Sequence, residues 1–336
     1  MPLNVLITAG SRRVPLVRAF QQAVARVTPG GIVAVTDVNE LSPSVYIADR
    51  AYQVPLSTEP NYLDEIESVC RREEIGLVVP TIDDELTMFA EAAGRFQAQD
   101  IRVLVSPAET TATCNDKFET CRTLRAAGVP AVETWLPGEL DASTPFPLFI
   151  KPRVGRGGVG AFAVRDRREL EFFLTYVGNP VIQPFLDGPE FTIDMLCDFD
   201  GRPLSIVPRE RVLIRAGVVD RGRTIASPEL IDIGRQCARA LPFAGPVNIQ
   251  CRMCGGRPVV FEINPRFSGG IPLTIAAGAD FPRMILDLTL GRRVKPAIGK
   301  FEEQFWMTSY EASVFLPSQK IGFSGNVRRA RSKQVA

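Results

Sequence analysis

The sequence predicts an α/β protein: a parallel sheet wrapped by helices at the N-terminus, then a second, glycine-rich region of strands and hairpins. Three observations carry this reading. Over the first hundred residues, short apolar runs alternate with amphipathic segments. From Pro107 onward that alternation gives way to a helix, a lysine at a strand end and a loop with four glycines. The strand-like stretch VVFEINPRFSGG (259–270) carries Glu262 and Asn264 two residues apart, and a strand that only packs against a core needs neither.

In order, LNVLITAG reads as a strand, Val14 to Val27 as a helix, GIVAVTDV as a strand and residues 61 to 74 as a helix. IGLVVPTID is a strand, Glu85 to Gln97 a helix and IRVLVSP a strand. Such alternation implies right-handed crossovers and sites beyond the carboxyl ends of the strands. Two loops fall there. TAGSRR (8–13) lacks dinucleotide-fingerprint spacing; it is either a tight turn with solvated arginines or an anion cup using Gly10, Arg12 and Arg13. PTIDDE (80–85) places Asp83, Asp84 and Glu85 where they either favour a helix N-terminus or hold a cationic group. NDKFETCRTLRAAGVP reads as one helix with Asn115 or Asp116 at its start and Gly128 and Pro130 at its end. A proline-rich connector leads to PLFIKP, a glycine loop and GAFAVRD; then come a helix from Arg167 to Tyr176 and two strands in PVIQPFLDGPEFTIDMLCD.

Composition removes several chemistries. The 336 residues contain no histidine, so histidine-based triads, imidazole acid–base catalysis and His-ligated zinc are excluded. A net charge of +1 supplies no field to recruit nucleic acid or a membrane surface. No apolar stretch approaches a membrane span, and MPLNVLITAGSRR lacks the pattern of a signal peptide. Seven scattered cysteines fit a reducing compartment, so the expected location is cytoplasmic. Cys251 and Cys254 form one CxxC with no second pair, and read as two thiols near a hairpin.

What remains is oxygen, lysine, arginine and backbone chemistry. KPRVGRGGVG (151–160) puts Lys151 at a strand end before a loop whose amides can fold over phosphates, or which is simply a mobile hairpin tip. GPVNIQCRMCGGRPVVFEIN reads as a hairpin. With a three-residue loop Gly255-Gly256-Arg257, Cys254 would face Pro258, Gln250 would face Glu262 and Asn248 would face Asn264, all on one sheet face. A two-residue loop would turn Gln250 to the other face. One carboxylate with two amides suits Mg²⁺ shared with substrate phosphates. Arg266 follows behind Pro265, and Ser268-Gly269-Gly270 opens the helix IPLTIAAGA.

These motifs resemble the ATP-grasp superfamily, in particular stand-alone proteins similar to the carbamoyl phosphate synthase large subunit. The resemblance runs through NDK (115–117), FIKPRVGRGGVG (149–160), IQPFLDGPEFTID (182–194), GPVNIQ (245–250) and FEINPRFSGG (261–270). It implies a pre-ATP-grasp α/β domain over 1–107 and a two-lobed ATP-grasp domain over 108–295 with a mobile lobe at about 120–187, before an extension over 296–336. It also implies that Lys117, Lys151, Gly155, Gly157 and Gly158 hold the phosphates of ATP. Gln183, Phe185 and Leu186 would lie beside adenine, and Glu190 at the ribose. Gln250, Glu262 and Asn264 would hold Mg²⁺ (or Mn²⁺), while Arg266 would stabilise the transferring phosphoryl group. The sequence departs from the family in two places: Gln183 stands where relatives often have glutamate, and no histidine is present near the reacting centre, where Arg215 is the expected occupant.

The expected activity is that of a carboxylate–amine or carboxylate–thiol ligase acting through an acyl phosphate. Arg209, Arg211, Arg215 and the amides of Ser268, Gly269 and Gly270 would hold the acid, with Asp83 and Glu85 orienting an amine. Rival readings are an enzyme phosphorylating bicarbonate or carbamate, an ATP-binding regulatory module, and a structural CxxC or metal-binding protein resting on Cys251 and Cys254. The tail FEEQFWMTSYEASVFLPSQKIGF (301–323) is expected to add strands to the core or to contact another subunit in a homodimer, and RRARSKQVA (328–336) to fray.

Overall fold

The computed structural model describes residues 2–141, 143–155, 157–215 and 217–325, so the expectation for the basic tail lies outside the described residues. The chain divides into two compact units. One comprises residues up to 81, 93–103 and 311 onward; the other comprises 82–92 and 104–310.

In the first unit, β1 (Asn4–Ile7), α1 (Val14–Val27), β2 (Val33–Asp37), β3 (Arg50–Gln53), α2 (Tyr62–Arg72) and β4 (Ile75–Val79) follow in order. The next helix, α3 (Asp83–Glu91), belongs to the second unit, and α4 (Ala93–Gln97) and β5 (Arg102–Val103) return to the first. The five strands form one parallel sheet in the order β3-β2-β1-β4-β5. Val5, Leu6, Ile7, Leu77 and Val78 are fully buried in it, as the unbroken apolar runs require of a sheet covered on both faces. In TAGSRR, Arg13 donates to the Thr81 carbonyl at 3.0 Å and the Ser11 N–H donates to Asp37 at 2.6 Å. The loop is thus tied down as a turn.

The second unit holds α5 (Ala108–Asn115), α6 (Lys117–Ala126), β6 (Leu148–Pro152), β7 (Phe162–Val164), α7 (Arg167–Tyr176), β8 (Pro180–Pro184), β9 (Glu190–Cys197), β10 (Pro203–Arg215) and β11 (Val218–Thr224). It continues with α8 (Pro228–Ala240), β12 (Gly245–Cys254), β13 (Arg257–Asn264), α9 (Ile271–Ala276), α10 (Phe281–Thr289) and β14 (Trp306–Thr308). A small antiparallel sheet, β7-β6-β8, packs Leu148, Ile150 and Ile182 against Leu170 of α7. A six-stranded antiparallel sheet runs β13-β12-β9-β10-β11-β14. Its apolar face (Ile193, Met195, Ile249 and Ile263) packs on Leu124 of α6 and on Leu230, Ile233 and Cys237 of α8. The aromatic tail contributes its strand β14 to the edge of this sheet, paired with β11. Among the described residues no helix is long and apolar enough to cross a membrane.

The helix expected from NDKFETCRTLRAAGVP is α6, with Asp116 at its start, and α5 before it was not expected. Asp116, in extended conformation, separates α5 from α6 and caps α6 by accepting from the N–H groups of Phe118 and Glu119 at 3.0 and 3.2 Å.

Candidate functional site

The hairpin of β12 and β13 builds the floor of the site, by a route other than the one expected. Its turn has two residues, Gly255 and Gly256, with φ of 55° and 76°, so that Cys254 faces Arg257 and Met253 faces Pro258. Both central residues lie in the left-handed region, which a tight hairpin turn requires and glycine adopts without strain. A three-residue turn is thereby corrected to a two-residue one. The register then shifts between Gln250 and Cys251: Cys251 faces Val260, whereas Gln250 faces Glu262. Phe261 is the extra residue of a β-bulge, which restores the parity the short turn had reversed. Asn248 faces Asn264 as expected, and Gln250 and Glu262 share its side of the sheet.

Because facing residues across a ladder lie on one side, the same face continues over β9 and β10. One rung holds Arg209, Thr192, Gln250 and Glu262; the next holds Asp194, Asn248 and Asn264; on the other side Arg252 faces Glu190. This polar face and the small sheet enclose a cavity of about 260 Å³.

One end of the cavity is cationic. Lys151 extends from β6, is buried, and donates to the carbonyl of the bulge residue Phe261 at 3.3 Å. Burial holds its pKa below the usual lysine value, with Glu262 opposing that shift. Lys117, the first residue of α6, donates to the Gly155 carbonyl at 2.5 Å. Asp116 fixes its helix to the β6 exit through Arg153, whose Nη2 lies 2.7 Å from the carboxylate. Burial would raise the pKa of Asp116, but Arg153 and the capping N–H groups outweigh it and the net direction is down. Between the lysines run Gly155, Gly157 and Gly158, all at positive φ, which lets the backbone approach the cavity where a side chain would be strained. A methyl group built on Gly217, in the β10–β11 hairpin turn, would lie 3.1 Å from the Gly157 carbonyl, so the two loop tips are in contact.

The other end is apolar, lined by Phe149, Phe185 and Leu186, with Gln183 facing Phe149 across the ladder. The Phe185 N–H donates to the Pro147 carbonyl at 3.1 Å. Glu190 lies between two guanidinium groups, accepting from Arg211 at 2.6 Å and from Arg252 at 2.7 Å. Burial lowers the pKa of Arg211 and Glu190 opposes the shift.

Beside the bulge, Asn264 donates to Glu262 at 3.0 Å, which leaves the amide oxygen of Asn264 as an acceptor near a small cleft shared with Asp83, Asp84 and Asn115. The Asn248 Oδ1 is buried without a hydrogen-bond partner. Glu262 with amide oxygens fits a hard cation that also takes phosphate oxygens. Among the described residues no group of three carboxylates, cysteines or histidines would hold a metal alone.

Other expected residues lie elsewhere. Arg266 forms a two-pronged pair with Asp83, at 3.1 Å from Nε and 2.6 Å from Nη2, so Asp83 serves an arginine and not an open amine site. Glu85 is buried within α3. Arg209 is fully buried, its Nε 2.7 Å from Asp194 and its Nη2 3.0 Å from Ser268. It therefore backs the Ser268-Gly269-Gly270 loop and is closed to a ligand. Gly270 is needed there, since a methyl group on it would lie 2.5 Å from Arg209 Nη1. Arg215 lines neither cavity; its side chain is 66% exposed and 3.7 Å from Asp220. Sequence reasoning missed Arg252 and Thr192 in the floor, although both lie at even spacing from assigned residues on their strands.

A cavity with buried lysines under a glycine loop, between a small antiparallel sheet and the polar face of a larger one, defines the class of fold. It is the ATP-grasp fold. The chain covers 90% of its length in alignment with the biotin carboxylase–β,γ-ATP complex from Campylobacter jejuni (TM-score 0.72, 14% identity, 74% of that chain). It likewise covers 90% against an L-amino acid ligase from Bacillus licheniformis (TM-score 0.68, 21% identity, 77% of that chain). Residues 178–312 match the family described as ATP-grasp in the biosynthetic pathway with Ter operon, and residues 5–104 match the PylC-like N-terminal domain. The two matches are to an ATP-grasp family and to a PylC-like N-terminal domain, and the first overlaps three of the five motifs. It is 30% identical over 223 residues to an uncharacterized protein, y4rH, of Sinorhizobium fredii, covering 57% of this chain and 43% of that one. It is 25% identical over 323 residues to a carbamoyl phosphate synthase large chain of Thermomicrobium roseum, covering 87% of this chain and 30% of that one. The chain thus spans less than half the length of either relative.

Proposed function

We propose that this chain is an ATP-dependent carboxylate ligase. The observation that carries the reading is the convergence of Lys117, Lys151 and the 155–158 loop with Glu262 on one cavity. In the first step a carboxylate oxygen attacks the γ-phosphorus of ATP and the bond to ADP breaks, giving an acyl phosphate. An amine, or a thiol, then adds to the acyl carbon, phosphate leaves with the bonding pair, and the nucleophile loses its proton. Such chemistry needs positioning and charge neutralisation more than a covalent partner, which suits a chain without histidine.

In this reading the lysines and glycine loop hold the phosphates, and Phe149, Phe185 and Leu186 form the slot for the base. The Arg211–Glu190–Arg252 triad lies at the ribose, so the guanidinium groups are available as donors there. Gln250, Glu262 and Asn264 would hold Mg²⁺ (or Mn²⁺), which when bound neutralises charge on the phosphates. Arg266 reaches a phosphoryl group only when its pair with Asp83 opens, and Arg209 acts on the 268–270 loop from behind. The domain boundaries that accompany this reading are 1–107, 108–295 and 296–336. The substrates are a small carboxylic acid and an amine, and a homodimer is the assembly to test. Seven free thiols support a cytoplasmic setting.

The test is ADP release from Mg²⁺-ATP over a panel of carboxylic acids with hydroxylamine present, and mass spectrometry for the hydroxamate. Glu262→Gln should lower ADP release by roughly 100-fold or more. Saturable ATP binding without ADP release for any acid would favour a regulatory module. The length of the alignment with carbamoyl phosphate synthase supports one alternative, phosphorylation of bicarbonate or carbamate. Bicarbonate-dependent ADP release without a hydroxamate would identify it.

A further inference from the structure

We infer that the Asp83–Arg266 pair is a self-inhibitory contact, in which Asp83 withholds Arg266 until a γ-phosphoryl group competes for it. A nucleoside triphosphate opens the pair and a diphosphate leaves it closed. This rests on the functional reading above, in which Arg266 meets the transferring phosphoryl group, and adds what holds that arginine until the group arrives.

The guanidinium of Arg266 is engaged on both edges that could take an oxyanion with two donors. Nε and Nη2 donate to Asp83 Oδ2 at 3.1 and 2.6 Å, and Nη1 donates to the Phe267 carbonyl at 3.1 Å. Arg266 lines neither cavity, whereas Asp83 lines the small cleft together with Glu262 and Asn264. The acid of the pair is therefore at the cleft. The arginine meets a phosphoryl group there by exchanging the carboxylate for phosphate oxygens, which accept the same two-pronged contact.

The pair is built to open. The Arg266 and Asp83 side chains are 13% and 12% exposed, so separating them does not strand a dry charge, unlike Arg209 and Asp194 at 1% and 2%. Asp83 is the first residue of α3, whose N-cap position, Ile82, makes no side-chain hydrogen bond. The positive end of the helix dipole favours a carboxylate there whether or not the arginine is present. The main chain need not move either. Pro265 precedes Arg266, the Arg266 N–H donates to the Asn264 carbonyl at 2.8 Å, and Phe267 is fully buried. The exchange is confined to the arginine side chain.

A γ-phosphoryl group brings more charge, and three oxygens against the single oxygen of Asp83 that the arginine uses, so it wins the guanidinium. ADP has no such group, and the pair stays closed beside it. Asp83 thus weakens the grip on ATP that Arg266 would otherwise add, and it draws the arginine back as inorganic phosphate leaves.

The experiment is equilibrium binding of ATP and of ADP to the full chain, by calorimetry, with Mg²⁺ present and no carboxylic acid. Asp83→Asn removes the competing charge and should tighten ATP binding by about tenfold, with ADP within about twofold of wild type. Asp83→Ser should do the same with a residue that also suits a helix start, and it takes the place of the amide variant should that one not fold. Asp83→Glu keeps a carboxylate and should leave the ATP-to-ADP affinity ratio within about threefold of wild type. Adding Arg266→Met to Asp83→Asn should abolish the gain, because the arginine carries it. Asp84→Asn removes a charge from the same cleft but leaves the carboxylate of the pair, and should leave the ratio unchanged. An unchanged ratio in the Asp83 variants, or equal weakening of both nucleotides, would overturn the inference while leaving the ATP site standing. A gain that survives the loss of Arg266, or that Asp84→Asn matches, would overturn it too, since it would report only the net charge of the cleft. Failure of the wild-type protein to bind either nucleotide would overturn the functional reading and this inference with it.

Discussion

Among the described residues, Arg209 and Asp194 form the most deeply buried ion pair of the large sheet, with side chains 1% and 2% exposed, and removing one partner should be among the most damaging single changes in the second unit. Asp194 Oδ2 accepts from Arg209 Nε at 2.7 Å and from the Thr274 hydroxyl at 2.5 Å. In Asp194→Ala both bonds go. The guanidinium keeps only Ser268, at 3.0 Å, and its Nη1 already finds no protein partner. A buried cation left so poorly compensated costs about 3–5 kcal/mol. Replacing both groups by apolar ones of similar size, as in Arg209→Met with Asp194→Leu, removes the uncompensated charge. The double variant should therefore lie within about 2 kcal/mol of wild type. The chain's two tryptophans, Trp135 and Trp306, both belong to the second unit, so fluorescence during urea unfolding follows that unit selectively. The double-mutant cycle of Arg209→Met and Asp194→Leu, each singly and together, should show coupling of at least about 2 kcal/mol. An Asp194→Ala cost below about 1 kcal/mol, or a double variant no more stable than the single, would refute the account.

Two further outcomes follow from the same geometry. Burial depresses the pKa of Lys151, so the folded state binds fewer protons than the unfolded one between the folded pKa and the usual lysine value of 10.5. The cost of the buried ammonium is fully present below the folded pKa and is relieved as pH rises through that window. Lys151→Met should then leave the thermal midpoint at pH 7 no lower than wild type while nucleotide binding is lost; a melt with and without Mg²⁺-ATP checks both. The Gly188 backbone approaches β12 so closely that a methyl group on it would lie 1.6 Å from the Met253 carbonyl oxygen. Gly188→Ala should destabilise the second unit by about 1–3 kcal/mol or more, read by the same urea titration, whereas Gly178→Ala, where nothing lies within 4 Å, should not.

Local pattern carried the first unit well. The apolar runs and amphipathic periods from Asn4 to Val79 fixed α1 at its observed limits, Val14 to Val27, and the strands on either side of it. The strand β3 went unread, because ADRAYQV has neither a long apolar run nor clear alternation. The site residues were legible where chemistry and spacing coincide, as in Lys151 before its glycine loop. Ion-pair partners were not, because they are set by which strands become neighbours. Arg209 and Asp194 are 15 residues apart, and Arg266 and Asp83 are 183 apart. No periodicity within a window reports such pairs, and each turned a residue expected to meet substrate into one that meets another side chain.

The hairpin under the cavity shows where sequence reasoning can reach a correct face through an incorrect loop. Counting from a three-residue turn gives Gln250 opposite Glu262, and so does a two-residue turn with one bulge, because each adds the same single residue to the second strand. The two differ only between the turn and the bulge, where Arg252 faces Val259 and Cys251 faces Val260. The difference matters chemically. With the extra residue at the tip, the ladder would run unbroken beneath the lysine, and the Phe261 carbonyl would be aimed across or along the sheet. With the bulge at Phe261, the ladder breaks there, and that carbonyl accepts from Lys151. The ring of the same residue lies 5.4 Å from the ammonium. The irregularity that restores the face of Glu262 thus also supplies the contacts that hold the lysine beside it, and a turn signal such as Gly-Gly cannot disclose that. A bulge is specified by what it must bring together across the fold, and here that is one carboxylate and one ammonium at the same point of the cavity.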